Sequence, residues 1–167
     1  MATIAMCVAV TVISSWITVP FLVNFSLQTM SIFIIAFVFG LKKSMISLFI
    51  YILLGVIGLP VFSGFGSGVG VLLGPTGGFI MGFVFIPPII AVLKRQRQGY
   101  WWRVFTMLIS IVPCYVLGTV WYGAFFAGER GVLGILLVCV IPFLLPEFVK
   151  ILLSAVIVKR LNGIQLN

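Results

Sequence analysis

The chain has 167 residues, 63% of them hydrophobic and 7% charged, with a mean hydropathy of +1.37. A soluble domain of this length could not hide that much apolar surface, so the composition describes a chain whose exterior faces lipid. The net charge of +8 sits at the ends of apolar runs, which excludes a nucleic-acid partner and reads as membrane anchoring.

At roughly 20 residues per membrane helix, six helices use most of the length, and residues 1–167 form a single membrane-embedded domain. In chain order, the first span runs from Thr3 to Val19 and ends at Pro20. It lacks a basic leader and a small-residue cleavage site, so it is expected to be the first helix and not a signal peptide. Ala5 and Ala9, four apart, give it a flat face for another helix. Phe21 to Gln28 forms a polar-tipped connection carrying Asn24, Ser26 and Gln28. The second span covers Thr29 to Leu41 and stops at Lys42 and Lys43, and the third covers Ser44 to Ile57, closed by Gly58 and Pro60.

Between Gly55 and Gly82 the chain places ten of its eighteen glycines. Irregular backbone in a membrane protein is tolerated where it is buried in protein or lines a polar cavity, so this stretch is a candidate binding region. Its GPTGG, Gly74 to Gly78, lacks the lysine and spacing of a phosphate loop, and no nucleotide hydrolysis is expected. Thr76 there is expected to cap the fourth helix, or to touch a polar ligand with its hydroxyl. That helix spans Gly78 to Leu93, with a kink or break at Pro87 and Pro88, and ends at a loop holding Lys94, Arg95, Arg97 and Arg103. The neighbouring Tyr100, Trp101 and Trp102 suit an interfacial belt.

The fifth span covers Val104 to Phe126, with a bend at Pro113. Val132 to Phe143 is too short to cross and is assigned as a lateral or re-entrant helix on the outer side. The sixth span runs from Glu147 to Val158 and finishes at Lys159 and Arg160. With both termini inside, eight of the ten basic residues lie on the cytoplasmic side and only Arg130 and Lys150 on the other.

The chain has two carboxylates and no histidine. Glu129 beside Arg130 reads as a solvated turn residue. Glu147 has two readings: with Lys150 it forms an i,i+3 ion pair capping the last helix, or both heads point into a cavity. No base or paired carboxylates support an enzyme. Cys7, Cys114 and Cys139 lie in apolar runs without metal-ligand spacing and read as packing residues, so no metal site is expected.

GVIGLPVFSGF, GVGVLLGPTGGF, the upstream VNFSLQTM, GTVWY and the late PEFVK resemble the BioY family, the biotin-specific substrate-binding components of energy-coupling-factor (ECF) transporters. The similarity covers nearly the whole chain in order. It implies six transmembrane helices, high-affinity biotin capture on the outer side of the cytoplasmic membrane, and delivery through an energising membrane subunit driven by two ATPase subunits, which alone use ATP. No cofactor is implied. The family usually has aspartate three residues before the lysine of its last motif, where this chain has Glu147 before Lys150. Ala5 and Ala9 match the AxxxA face that such components offer the energising partner. The resulting expectation is an all-α membrane protein with a glycine-rich outer loop and a short lateral helix before the last span. Its pocket is lined by Phe62 and Tyr122 as apolar walls and by Gln28, Thr76, Glu147 and Lys150 as polar contacts. Which polar group meets the ureido ring and which the carboxylate tail is open, and a component for another vitamin or a stand-alone ion-coupled carrier are the alternatives.

Overall fold

The helices of this chain are held in place by backbone breaks that the sequence only partly advertises. The computed structural model describes residues 1–19, 25–97, 99–128 and 131–164. The expectations for Pro20, Asn24, Glu129 and Arg130 lie outside these residues.

Helix α1, Ala2–Trp16, stops three residues before the expected end of the first span. The β-branched run that follows prefers extended backbone. Its strand β1, Thr18–Val19, pairs antiparallel with β2, Phe25–Ser26, in the register Thr18 to Ser26 and Val19 to Phe25.

Helix α2, Gln28–Ile57, contains the second and third expected spans in two arms. They meet at Gly40, whose φ of 76° and ψ of 178° belong to a region open to glycine alone. The break therefore falls two residues before the lysine pair, because backbone freedom and not charge sets it. Ser44 Oγ donates to the carbonyls of Gly40 (2.7 Å) and Leu41 (3.0 Å) and so satisfies groups that the break would orphan. The second arm ends in a Schellman motif: Gly58 N–H donates to Gly55 and Leu59 N–H to Leu54, each at 3.1 Å.

The glycine-rich connection is more helical than expected. A 3-10 turn at Ser63–Phe65 and helix α3, Val69–Leu73, precede helix α4, Gly77–Gly82. A second 3-10 turn, Phe83–Phe85, joins α4 to helix α5, Ile86–Leu93. Pro87 and Pro88 occupy the first turn of α5, where their missing N–H groups cost little. The disturbance lies instead four residues upstream, at Phe83 and Val84, whose carbonyls the prolines cannot meet.

Several glycines in this region serve close packing. A Cβ at Gly78 would lie 2.4 Å from Cβ of Trp121, and one at Gly82 would lie 2.5 Å from Cα of Cys114. Their absence lets α4 settle directly on helix α6, Tyr100–Phe125. Helix α6 begins four residues before the expected start, taking the aromatic trio into its first turn, and continues through Pro113.

Helix α7, Val132–Cys139, falls within the expected short element but ends four residues before Phe143. The last helix, α8, covers Ile141–Ile164 and so begins six residues before Glu147. Pro142 sits at its second position, where proline is tolerated, so the break falls at Val140 (φ −125°, ψ −58°) and not at the prolines.

Helix α2 packs on α1, α5 and α8, and α6 packs on α4, α5 and α8. Phe33, Tyr51, Ile86, Ile90, Met107, Ile151 and Val158 fill the centre with almost no exposure. Many large apolar side chains face outward, among them Phe49, Leu53, Val120 and Leu145. Among the described residues, three stretches, Gln28–Ile57, Tyr100–Phe125 and Val132–Leu161, are long and apolar enough to cross a membrane.

Candidate functional site

A cavity of about 650 Å³, counting its mouth, opens where the start of α2, the glycine-rich connection, α4, the middle of α6 and the first half of α8 converge. Each element contributes at helical spacing. Helix α4 and the turns on either side of it supply Thr76, Phe79, Ile80 and Phe83; α6 supplies Ile111, Cys114 and Tyr115; α8 supplies Phe143, Glu147 and Lys150.

The roof is fixed from beneath. Ser15 Oγ of α1 (2.5 Å) and Tyr51 Oη of α2 (2.9 Å) both donate to the Val61 carbonyl, and Trp16 Nε1 donates to Pro60 O at 2.7 Å. With the two preceding carbonyls held, Phe62 turns its ring inward. The ring occupies the space where a Cβ at Gly55 would stand, 2.1 Å from its Cζ, and meets Tyr51 edge to face at 5.6 Å. Phe62 is almost wholly buried and also lines the cavity.

The polar end is built by α8 and α2 together. Lys150 Nζ lies 2.5 Å from Glu147 Oε2 and donates to Thr29 Oγ1 at 2.7 Å and to Ser26 O at 3.1 Å. Both side chains of the pair are buried. Glu147 stands at the seventh position of α8 and not in its first turn, so the helix-cap reading is corrected: the pair points into the cavity. Among the described residues, Glu147 Oε1 and Gln28 Nε2 are buried without a hydrogen-bond partner. Leaving such groups unpaired costs about 1–3 kcal/mol each, more for a charged one. The site therefore presents one acceptor and one donor, inside an apolar and aromatic chamber, for a ligand to meet.

Of the six residues expected to contact substrate, Gln28, Phe62, Thr76, Glu147 and Lys150 line this cavity. Tyr122 does not line it. It lies seven residues beyond Tyr115 on α6, about 10 Å further along the axis, and packs with Ala127, Cys139 and Phe143 behind the cavity wall. Tyr115 takes the wall position instead. Thr76 precedes α4 but its hydroxyl makes no capping bond, which corrects the expected cap. Thr29, Phe79 and Phe143 were missed, although Thr76, Phe79, Ile80 and Phe83 follow an i, i+3, i+4, i+7 pattern that marks one helix face. Cys7, Cys114 and Cys139 are all free and buried, and among the described residues no three metal-ligating side chains cluster.

Ala5 and Ala9 lie far from this cavity, on the exposed side of α1. With Val8 and Val12 they form one wall of an apolar groove whose other wall is Ile46, Ile50 and Leu54 of α2.

Comparison with known proteins gives one family. The BioY family model matches residues 1–165. The chain is 31% identical to the biotin transporter BioY of Thermotoga maritima, over 94% of this chain and 92% of that one. It is 35% identical to a probable biotin transporter BioY of Pyrococcus horikoshii, over 96% and 94%. Its fold superposes with a TM-score of 0.86, at 27% identity and covering 97% of this chain and 89% of the other, on the crystal structure of the S-component for biotin from an ECF-type ABC transporter.

The pairing of Glu147 with Lys150 yields a stability test. Lys150→Met strands a buried carboxylate and is expected to cost about 3–5 kcal/mol in denaturant unfolding of the ligand-free protein. The double variant Glu147→Gln/Lys150→Met, which removes both charges, should recover most of that loss. A single variant as stable as the parent would show that the carboxylate is solvated.

Proposed function

The chain belongs to the BioY family, and from that membership we propose that it binds biotin in the cavity beneath Phe62 and serves biotin uptake as the substrate-binding S component of an ECF-type transporter. It is a transport protein of the membrane and not an enzyme. The observation that carries the reading is the pair of buried, unpartnered atoms, Glu147 Oε1 and Gln28 Nε2, in one cavity. A ureido ring offers N–H donors and a carbonyl acceptor side by side, which answers both. The carboxylate tail of biotin would be repelled by Glu147, so the ureido end sits at α8 and the tail runs toward the mouth. Phe62, Phe79 and Tyr115 flank the apolar bicycle.

Six crossings follow from the same reading: α1, the two arms of α2, residues 77–93, α6 and α8, with α7 lying to the outer side. The Gly40 break supports counting α2 twice. Both termini are cytoplasmic in this arrangement, supported by the eight-to-two distribution of basic residues. The groove at Ala5 and Ala9 then docks the energising membrane subunit, which couples it to two ATPase subunits. Small residues let a partner helix approach closely.

Four outcomes are expected. Isothermal titration of the purified protein should show biotin binding, with thiamine and riboflavin inert. Glu147→Gln should weaken biotin by roughly one to two powers of ten while Glu147→Asp keeps binding measurable, and parental affinity in Glu147→Gln would remove this residue from the site. Ala9→Trp should leave biotin binding intact yet abolish co-purification with the energising subunit; an unchanged complex would take α1 off the docking surface. In a background without the native cysteines, a cysteine introduced by Arg97→Cys should react with an impermeant thiol reagent only in opened membranes, and labelling of intact cells would reverse the orientation.

A further inference from the structure

A second surface, on a different face of α6 from the cavity, carries its own chemistry. Helices α5 and α6 leave a trough between them, walled by Ile89, Val92 and Leu93 on one side and Ile109, Val112 and Pro113 on the other. It is apolar and open, with Val92 63% and Val112 51% exposed. At its Leu93 end the trough meets an ordered polar rim. Trp102 Nε1 donates to Leu93 O at 2.9 Å, and the Trp102 ring stacks on Phe105 at 5.2 Å. The Arg97 guanidinium lies over that indole, 5.6 Å from the ring centroid. On α6, Trp102, Phe105, Ile109 and Val112 repeat at spacings of three and four, so rim and trough form one continuous helix face about 15 Å long.

Among the described residues, no carboxylate pairs with the charge at the rim. Lys94 is engaged with the Phe37 carbonyl at 3.2 Å, but Arg95 and Arg97 are exposed and Arg103 is partly exposed. The chain has only two carboxylates. Glu147 is paired with Lys150, and Glu129 follows the other end of α6 in the sequence. An anion from outside is therefore the natural counter-charge, and planar guanidinium groups suit phosphate oxygens.

We propose that this surface seats one anionic phospholipid, with its phosphate among Arg95, Arg97 and Arg103, its glycerol region at Trp102, and an acyl chain along the α5–α6 trough. A free anion would use only the rim and a neutral lipid only the trough; the juxtaposition of both selects an anionic lipid. This inference does not rest on the biotin reading, since its assay reads lipid alone.

The test uses the full chain, delipidated in detergent, with bound lipid counted by native mass spectrometry and folding checked by thermal melting. Phosphatidylglycerol is expected to bind one to one and roughly a hundredfold more tightly than phosphatidylcholine of the same chains, at about fivefold per arginine. Arg95→Gln/Arg97→Gln/Arg103→Gln should reduce phosphatidylglycerol to the phosphatidylcholine level, and the single exposed change Arg97→Gln should give a partial loss. Val112→Trp, which fills the trough, should weaken both lipids at least tenfold while leaving the melting temperature near the parent's. Equal binding of the two lipids, retention of phosphatidylglycerol by the triple variant, indifference to Val112→Trp, or glycerol phosphate binding as tightly as the lipid would each overturn the proposal.

Discussion

The buried contact between Glu147 and Lys150 is the constraint around which the site is arranged. Two charges removed from water are tolerable only with close mutual approach and further hydrogen bonds. The ammonium obtains them from Thr29 Oγ1 and the Ser26 carbonyl, so the start of α2 and the β2 strand are tied to the middle of α8. One oxygen of the carboxylate is used in this way and the other is left buried without a partner. The same pair that links two distant parts of the chain thereby creates the site's unmet acceptor.

The opposite wall is made by a different means. The connection after α2 carries few charged or large polar side chains that could anchor it, and it is held through its backbone carbonyls by Ser15, Trp16 and Tyr51. These donors come from the ends of α1 and α2, so the position of Phe62 depends on how those helices meet. Phe65, beside it, adopts a positive φ of 60° and stacks on Trp16 at 5.3 Å. Such a conformation is costly for a bulky residue and persists where surrounding contacts over-determine it. Glycine at 55, 78 and 82 then allows ring-on-backbone and helix-on-helix approach that any side chain would block.

Three surfaces divide the molecule. The cavity gathers polar groups from elements far apart in sequence, while the α1–α2 groove and the α5–α6 trough are almost wholly apolar. The two grooves differ at their ends. Small alanines floor the first and suit a partner helix, whereas arginines and tryptophan rim the second and suit an amphiphile. Side chains of ordinary apolar type thus acquire distinct uses from what terminates the surface they line.

The sequence by itself determined the membrane setting, the helical class and the family, because hydropathy acts locally and the motifs stand in order along the chain. Five residues that it singled out, Gln28, Phe62, Thr76, Glu147 and Lys150, come to line one cavity. Only the tertiary structure decided where helices break. The Gly40 kink, the Val140 break and the early start of α8 depend on backbone conformations and carbonyl partners that composition does not encode. The start of α8 moved Glu147 from a helix end to a helix interior, and with it the choice between a cap and a cavity. Tyr122 and Tyr115 share a face of α6 and are equivalent in pattern, yet only Tyr115 reaches the cavity. The deciding quantity is height along the helix relative to α4 and α8, and that height is set by Gly78 and Gly82 pressing α4 onto α6, a contact between residues more than thirty positions apart.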